Sequence, residues 1–355
     1  MIGYYIHHHG NGHLNRARAI VSAIVAEHPG LDVTIFSTLP PAGFGRWHPL
    51  PADDEPGIDR QAATAGGQWH WAPQDSAGHR RRMAVIAQWV ADHPGAVLIS
   101  DVSAEVAVLG RLLGARVVVI AQPGDRTDRP HDQAYGSADL IIAPWPRALY
   151  EPDWLSVHNP KVHWVGGISG LDPVTGHGRR DTADRQDVPG HGAGVDHGGS
   201  GDRGARRQLS GQRPVAAWLP GTEGGWSDAE LDRARAATPG WEWIRGRGLG
   251  ACELSALLTQ AQLAVGISGL GTVADLALLS VPAILRPAPR PFDEQAVTAG
   301  VLADHALATI VTEPVTDWAA VVRRTIDRPD RWSLWQAAGA PQRAAASITG
   351  LLGGR

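Results

Sequence analysis

The sequence predicts an α/β protein of two Rossmann-like domains, each built on a parallel sheet, and three observations carry that expectation. Short apolar strands alternate with helix-length segments through both halves of the chain. Two glycine-rich strand-to-helix turns stand near opposite ends, Tyr4 to His13 and Leu263 to Thr272. The chain, 355 residues, exceeds the roughly 250–300 residues at which a single core stops growing. A segment at 171–213, rich in Gly, Asp, Arg, His and Ser with hardly a large apolar side chain, separates the halves as a linker or insertion.

In order, the first half reads as strands at 2–6, 31–37, 96–100, 116–121, 140–143 and 162–165, with helices at 14–27, 76–92 and 103–113. The strands are mostly continuous apolar runs, as expected of a sheet covered on both faces. His93, Pro94 and Gly95 close the second helix. The stretch Gln122 to His131 is polar and follows a buried strand, so it reads as a ligand-contacting loop or a solvated one. The second half repeats the alternation, with strands at 214–219, 241–244, 263–267, 283–286 and 308–311 and helices at 228–237, 253–260, 272–279, 293–302 and 315–326. An alanine-rich tail at 332–352 suits one more helix. The expected domains are 1–170 and 214–330, followed by a helical tail at 331–355.

Composition excludes several functions. A net charge of −4 gives no basic field for nucleic acid. Lys161 is the only lysine, which rules out a P-loop. Cys252 stands alone, so neither an internal disulfide nor a multi-cysteine zinc site can form. No metal site is expected: successive residues of the His7, His8, His9 run face opposite ways, and His177, His191 and His197 lack ligand spacing. No apolar run approaches the roughly 20 residues of a membrane span, and no basic n-region precedes one. The expectation is a cytoplasmic protein without a resident cofactor.

At this point the residues resemble a family. Gly10-Asn11-Gly12-His13 is similar to the loop that opens the first domain of GT-B glycosyltransferases. Ser268 to Asp275, then Val281-Pro282-Ala283, then Arg290 to Gln295 resemble their donor domain, most closely that of glycosyltransferase family 28, which includes the lipid-linked N-acetylglucosaminyltransferase of peptidoglycan synthesis. The resemblance implies a nucleotide-sugar donor, uridine diphosphate-linked, a hydroxyl acceptor that can be lipid-linked, and an inverting, metal-independent hexosyl transfer. In that reading Ser268, Gly269, Gly271 and Thr272 bring N–H groups and a helix N-terminus to the diphosphate. Asp275 matches the acid that holds the ribose, and Asp293, Glu294 and Gln295 match the donor-sugar contacts. Gly10, Gly12 and Arg126 would face the acceptor.

The acceptor hydroxyl must lose a proton, and His13 at the first turn is the candidate base, with Asp101 at the end of the strand 96–100 orienting or replacing it. Each assignment has a plainer rival: His13 as a helix cap, and Asp275, Asp293 and Glu294 as acids at helix N-termini. Arg80, Arg81 and Arg82 open an amphipathic helix that suits either peripheral membrane contact or ordinary packing. Two departures stand out. Ile267 occupies a position where relatives commonly carry histidine, and the turn Leu219 to Gly225 contains Pro220 and Glu223, the latter repulsive near a diphosphate. A non-catalytic binding protein on the same fold remains an alternative. So does a nicotinamide-dependent oxidoreductase, because residues 269–274 satisfy G-x-G-x-x-A.

Overall fold

The computed structural model describes residues 1–7, 11–171, 213–221 and 224–353. The first half runs β1 (Ile2–Ile6), α1 (Asn11–Glu27), β2 (Val33–Ser37), β3 (Arg46–Pro49), α2 (Ala77–Asp92), β4 (Val97–Asp101), α3 (Ala104–Leu112), β5 (Arg116–Ile120), α4 (Arg129–Ser137), β6 (Leu140–Ala143), α5 (Asp153–Ser156) and β7 (Val162–Trp164). Its strands form one parallel sheet in the order β3-β2-β1-β4-β5-β6-β7. The chain therefore builds outward from β1 in one direction and then from β4 in the other. The crevice between the carboxyl ends of β1 and β4 is the switch point where such sheets bind ligands.

The second half runs β8 (Val215–Trp218), α6 (Asp228–Ala237), β9 (Glu242–Arg245), α7 (Ala251–Gln260), β10 (Leu263–Ile267), α8 (Leu270–Leu278), β11 (Ala283–Arg286), α9 (Glu294–Asp304), β12 (Thr309–Ile310), α10 (Trp318–Ile326) and α11 (Ala340–Gly353). Its parallel sheet has the order β12-β11-β10-β8-β9, with the switch point between β8 and β10.

Packing explains these elements. Ile2, Tyr4 and Ile6 of β1 face Ala17, Ile20 and Ile24 of α1, while Tyr5 and Phe36 face Ile86 and Trp89 of α2 on the opposite side. Gly3 is required here, because a Cβ would lie 2.8 Å from the Trp89 ring. In the second half Trp218 meets Trp226, Trp243 and Trp318 in an aromatic nest, so these tryptophans are core.

The tail does not close its own half. Helix α11 packs against α1, and Ala340, Ala344, Ala345 and Ile348 complete the apolar layer over the first sheet. Small alanines let the two helices approach closely, and full burial of Ile348 anchors the contact. Three other features differ from the sequence expectation. Strand β3 is an exposed edge strand with no apolar periodicity. Helix α4 starts inside the loop read at 122–131 and runs on to Ser137, where no element was expected, capped by Asp128 with Pro130 in its first turn. Arg82 turns inward and is 3 % exposed, paired to Asp53 at 2.7 Å, so it presents no charge to a membrane. Among the described residues no helix is long and apolar enough to cross one.

Candidate active site

Backbone register brings the first candidates together. Ile6 pairs with Asp101 across β1 and β4, and the chain leaving β1 starts α1 directly above them. His13 and Arg16 lie three residues apart on α1 and share one face. Arg16 Nε donates to Asp101 Oδ2 at 3.1 Å and Arg16 Nη2 to Oδ1 at 2.5 Å. His13 Nδ1 lies 3.0 Å from Oδ1, and the Tyr4 hydroxyl donates to Oδ2 at 3.4 Å.

Charge decides the proton positions. Burial alone would push the Asp101 carboxyl up, but the Arg16 charge and the His13 contact outweigh it and hold the group well below the usual carboxylate range. Burial pushes the Tyr4 hydroxyl up, so it stays a donor. Through the Asp101 contact His13 would donate Nδ1–H and keep Nε2 as its basic nitrogen, whereas the Arg16 Nη2 contact at 2.8 Å would make Nδ1 the acceptor and put the ring proton on Nε2. Val102, next in the chain, has φ +88°, which is strained for a β-branched residue; such strain clusters at functional sites.

His13 opens on a cavity of about 660 Å³ whose walls come from both halves, including Trp71 and Arg126 from the first and Phe292 and Glu294 from the second. Asp101 is fully buried behind His13 and does not line it. Arg126 is 4 % exposed, stacks over Phe292 at 4.4 Å and donates to Glu294 Oε2 at 3.4 Å. Asp125 N–H donates to the Phe292 carbonyl at 3.0 Å, and Gly124, with φ +103°, leaves no room there for a side chain. Phe292 and Asp293 both sit in the left-handed region, at φ +61° and +55°.

The candidates in the second half divide into two groups. Gly269, Gly271 and Thr272 are half-buried around the start of α8, where Gly269 caps without a side chain. N–H groups of such a first turn lack partners within the helix. Ser268 and Gln295 are instead buried framework: Ser268 Oγ donates to the Gln295 carbonyl at 2.9 Å, and Gln295 Oε1 accepts from Ala288 N–H at 2.9 Å. Asp275 Oδ1 accepts from Ser169 Oγ at 2.6 Å and from Gly170 N–H at 3.1 Å, and burial pushes its carboxyl up to about 6. Any ribose-holding role for Asp275 has to coexist with those bonds. Asp293 makes no side-chain cap for α9. Gly12 is exposed at the start of α1, while Gly10, Glu223 and most of the 171–213 segment lie outside the described residues.

One cluster has the residue types of a metal centre: donor atoms of His70, Asp128 and His131 all lie within 4.8 Å of one another. Its hydrogen bonds point elsewhere. Arg126 Nη1 faces His131 Nε2 at 3.4 Å, so that nitrogen accepts and Nδ1–H donates to Asp128 Oδ1 at 2.8 Å. A cation on Nδ1 would move the ring proton to Nε2, against the guanidinium. Burial, together with the His70 and Arg126 charges, pushes His131 down to about 4, matching a neutral ring. The cluster is a hydrogen-bonded wall that ties α4 to His70 and, through Arg126, to Glu294.

Sequence reasoning missed Arg16 and His70, and placed Gln122 in the polar loop 122–131 without singling it out. Arg16 was available from its i,i+3 spacing to His13. Nothing local marks His70, which reaches the site through a fold 58 residues distant from Asp128.

No protein-family model matches the chain, and no curated protein matches it. Solved structures do. The glycotransferase of kitacinnamycin is 16% identical over 99% of this chain and 96% of that one, with a TM-score of 0.57. The calicheamicin glycosyltransferase CalG4 is 13% identical over 99% and 95%, TM-score 0.56, and MurG of Acinetobacter baumannii 12% over 98% and 99%, TM-score 0.56. At such identities the likeness establishes the fold, which is GT-B: two Rossmann-like domains facing a cleft.

Proposed function

We propose that the protein is a glycosyltransferase that moves a hexosyl group from a nucleotide-activated donor to an acceptor hydroxyl in one inverting displacement. The observation that carries this reading is the His13–Asp101 pair, with His13 lining a cavity that both halves enclose. The acceptor O–H gives its proton to His13 Nε2 as its oxygen attacks the anomeric carbon. The bond from that carbon to the phosphate oxygen breaks, and the diphosphate leaves with the electron pair. Asp101 stays ionised, fixes the tautomer and stabilises the imidazolium, so it is a positioning residue rather than the base.

Charge developing on the diphosphate is met by the N-terminus of α8, where Gly269, Gly271 and Thr272 bring backbone N–H groups and the helix dipole. Helix α1 packs against α8, which supports a cleft shared by base and anion site, while Gly269, Gly271 and Thr272 do not themselves line the cavity that His13 opens on. In this reading that dipole supplies the stabilisation that a metal ion would otherwise give. The resemblance of Ser268 to Gln295 to family 28 supports uridine diphosphate as the carrier, and Glu294 is the donor-sugar contact that stands on the cavity.

A thermal-shift panel of uridine, thymidine, guanosine and adenosine diphosphates and nicotinamide dinucleotides tests this, because a ligand of the native state raises its melting temperature. Stabilisation by one nucleoside diphosphate, followed by its release from the matching nucleotide sugar, is the expected result. Response to nicotinamide dinucleotides alone, or to nothing, would overturn the proposal.

A further inference from the structure

We infer, building on the transferase reading, that Arg16 is a positioning residue that keeps His13 uncharged and so available as the base. Arg16 does not act on a ligand directly: its side chain is 7 % exposed and does not line the cavity that His13 lines. What it touches is the base and the partner of the base.

Three polar atoms form a closed triangle. Arg16 Nη2, His13 Nδ1 and Asp101 Oδ1 lie within 3.0 Å of one another. A guanidinium only donates, and an ionised carboxylate only accepts. Neutral His13 fits the triangle in the tautomer that leaves Nδ1 bare to accept from Arg16. The imidazolium has no such form, because both of its nitrogens carry hydrogen. Its Nδ1–H would stand against the Arg16 N–H at 2.8 Å, one cation beside another. An imidazolium also lacks a lone pair and cannot be a base, whereas the neutral ring has one in either tautomer.

A carboxylate alone beside the histidine would do the opposite, by stabilising the imidazolium. Asp101 is already engaged. Arg16 reaches Oδ2 through Nε at 3.1 Å and Oδ1 through Nη2 at 2.5 Å, the forked geometry in which such pairs are strongest, and the Tyr4 hydroxyl also donates to Oδ2. Burial alone would push the guanidinium down, but the charge and hydrogen bonds of Asp101 outweigh it and Arg16 stays cationic. The other groups around the ring are more distant or otherwise bonded. The His7 ring lies 6.1 Å from that of His13, and Glu294 is the charge from the second half that acts on Arg16. On the helices packed against α1, Asp275 of α8 is held by Ser169 and Gly170, and Arg343 of α11 donates to the Val165 carbonyl. Among the described residues, the hydrogen-bonding partners of Nδ1 are Arg16 and Asp101.

The test follows ring protonation of His13 by nitrogen-15 NMR in the full-length protein, beside the acid limb of kcat/KM for release of nucleoside diphosphate from its nucleotide sugar. Arg16→Met leaves Asp101 acting alone on the ring, so the protonation midpoint, and the acid limb with it, should rise by about one pH unit or more. Arg16→Lys, which keeps a cation on Asp101, should stay nearer the parent. Should Arg16→Met fail to fold, Asp101→Asn is compared with the double variant Asp101→Asn, Arg16→Met, and the midpoint should again rise when the arginine goes. A midpoint that stays put or falls on loss of Arg16 would refute the inference and leave Arg16 a structural residue. Midpoints that move as stated while no nucleotide sugar is turned over at any pH would count against the transferase reading alone.

Discussion

The Ser169 hydroxyl donates to Asp275 Oδ1 at 2.6 Å, so an acid on the first turns of α8 is held by the segment that ends the first half of the chain. That junction is tight on both sides, since Gly167 packs against Trp335 and Ala274 and Gly170 against Asn15.

Asp275 makes stability depend on pH. Burial raises its carboxyl from an unfolded value of about 3.9 to about 6 in the folded protein. Between those values the folded state binds more protons, so stability falls as pH rises from about 4 to about 6, by at most about 3 kcal/mol, and is flat above. Asp275→Asn, which keeps an acceptor for Ser169, should melt higher than the parent at pH 7.5 and lose that slope. Melting curves from pH 4 to 7 check this; parallel curves for the two proteins would contradict it.

The His13–Asp101–Arg16 cluster predicts two different failures. His13→Ala should slow transfer by about 10²–10⁴ with nucleotide affinity kept, because a general base acts on the rate and not on donor binding. Asp101→Asn leaves Arg16 buried without a counter-charge, which costs about 3–5 kcal/mol. Its melting temperature should fall well below that of His13→Ala. Comparable stability in the two variants would remove the ion pair from the account.

Asp101 also sets an acid limit. Its folded value is depressed, so its contribution is complete above the unfolded value of about 4 and is lost as pH falls towards the folded one. Acid unfolding followed by tryptophan fluorescence should show a transition below pH 4 that is absent from Asp101→Asn at matched starting stability.

Beside the Arg126–Glu294 and Ser169–Asp275 contacts, the halves also meet at Gly124. A Cβ there would lie 2.1 Å from the Phe292 carbonyl, and φ is +103°. Gly124→Ala should therefore part the loop from Phe292, at about 1–3 kcal/mol from the backbone strain alone, and enlarge the radius of gyration in small-angle scattering. An unchanged scattering profile with unchanged stability would refute the contact.

Much of this was legible in the sequence, and the limits have physical causes. Strands such as Ile2–Ile6 and Val97–Asp101 are buried on both faces and write themselves as apolar runs, which put Asp101 at a sheet edge before any coordinates. Strand Arg46–Pro49 pairs on one side only and stays exposed, so it needs no apolar pattern and shows none. Helix Arg129–Ser137 is short and polar, and its cap Asp128 looked like one more loop acid. Ser268 and Gln295 resembled ligand contacts by type, yet whether a polar side chain faces a ligand or its own framework depends on packing that neighbours in sequence do not reveal.

Helix α11 has a consequence for the chain during its synthesis. Its residues Ala340, Ala344, Ala345 and Ile348 cover Ile2, Tyr4 and Ile6 through α1. Domains generally fold as units, the N-terminal one first as it leaves the ribosome, but here the earliest strand waits for a lid translated more than 300 residues later. Until then the face of α1 that α11 covers stays open to solvent.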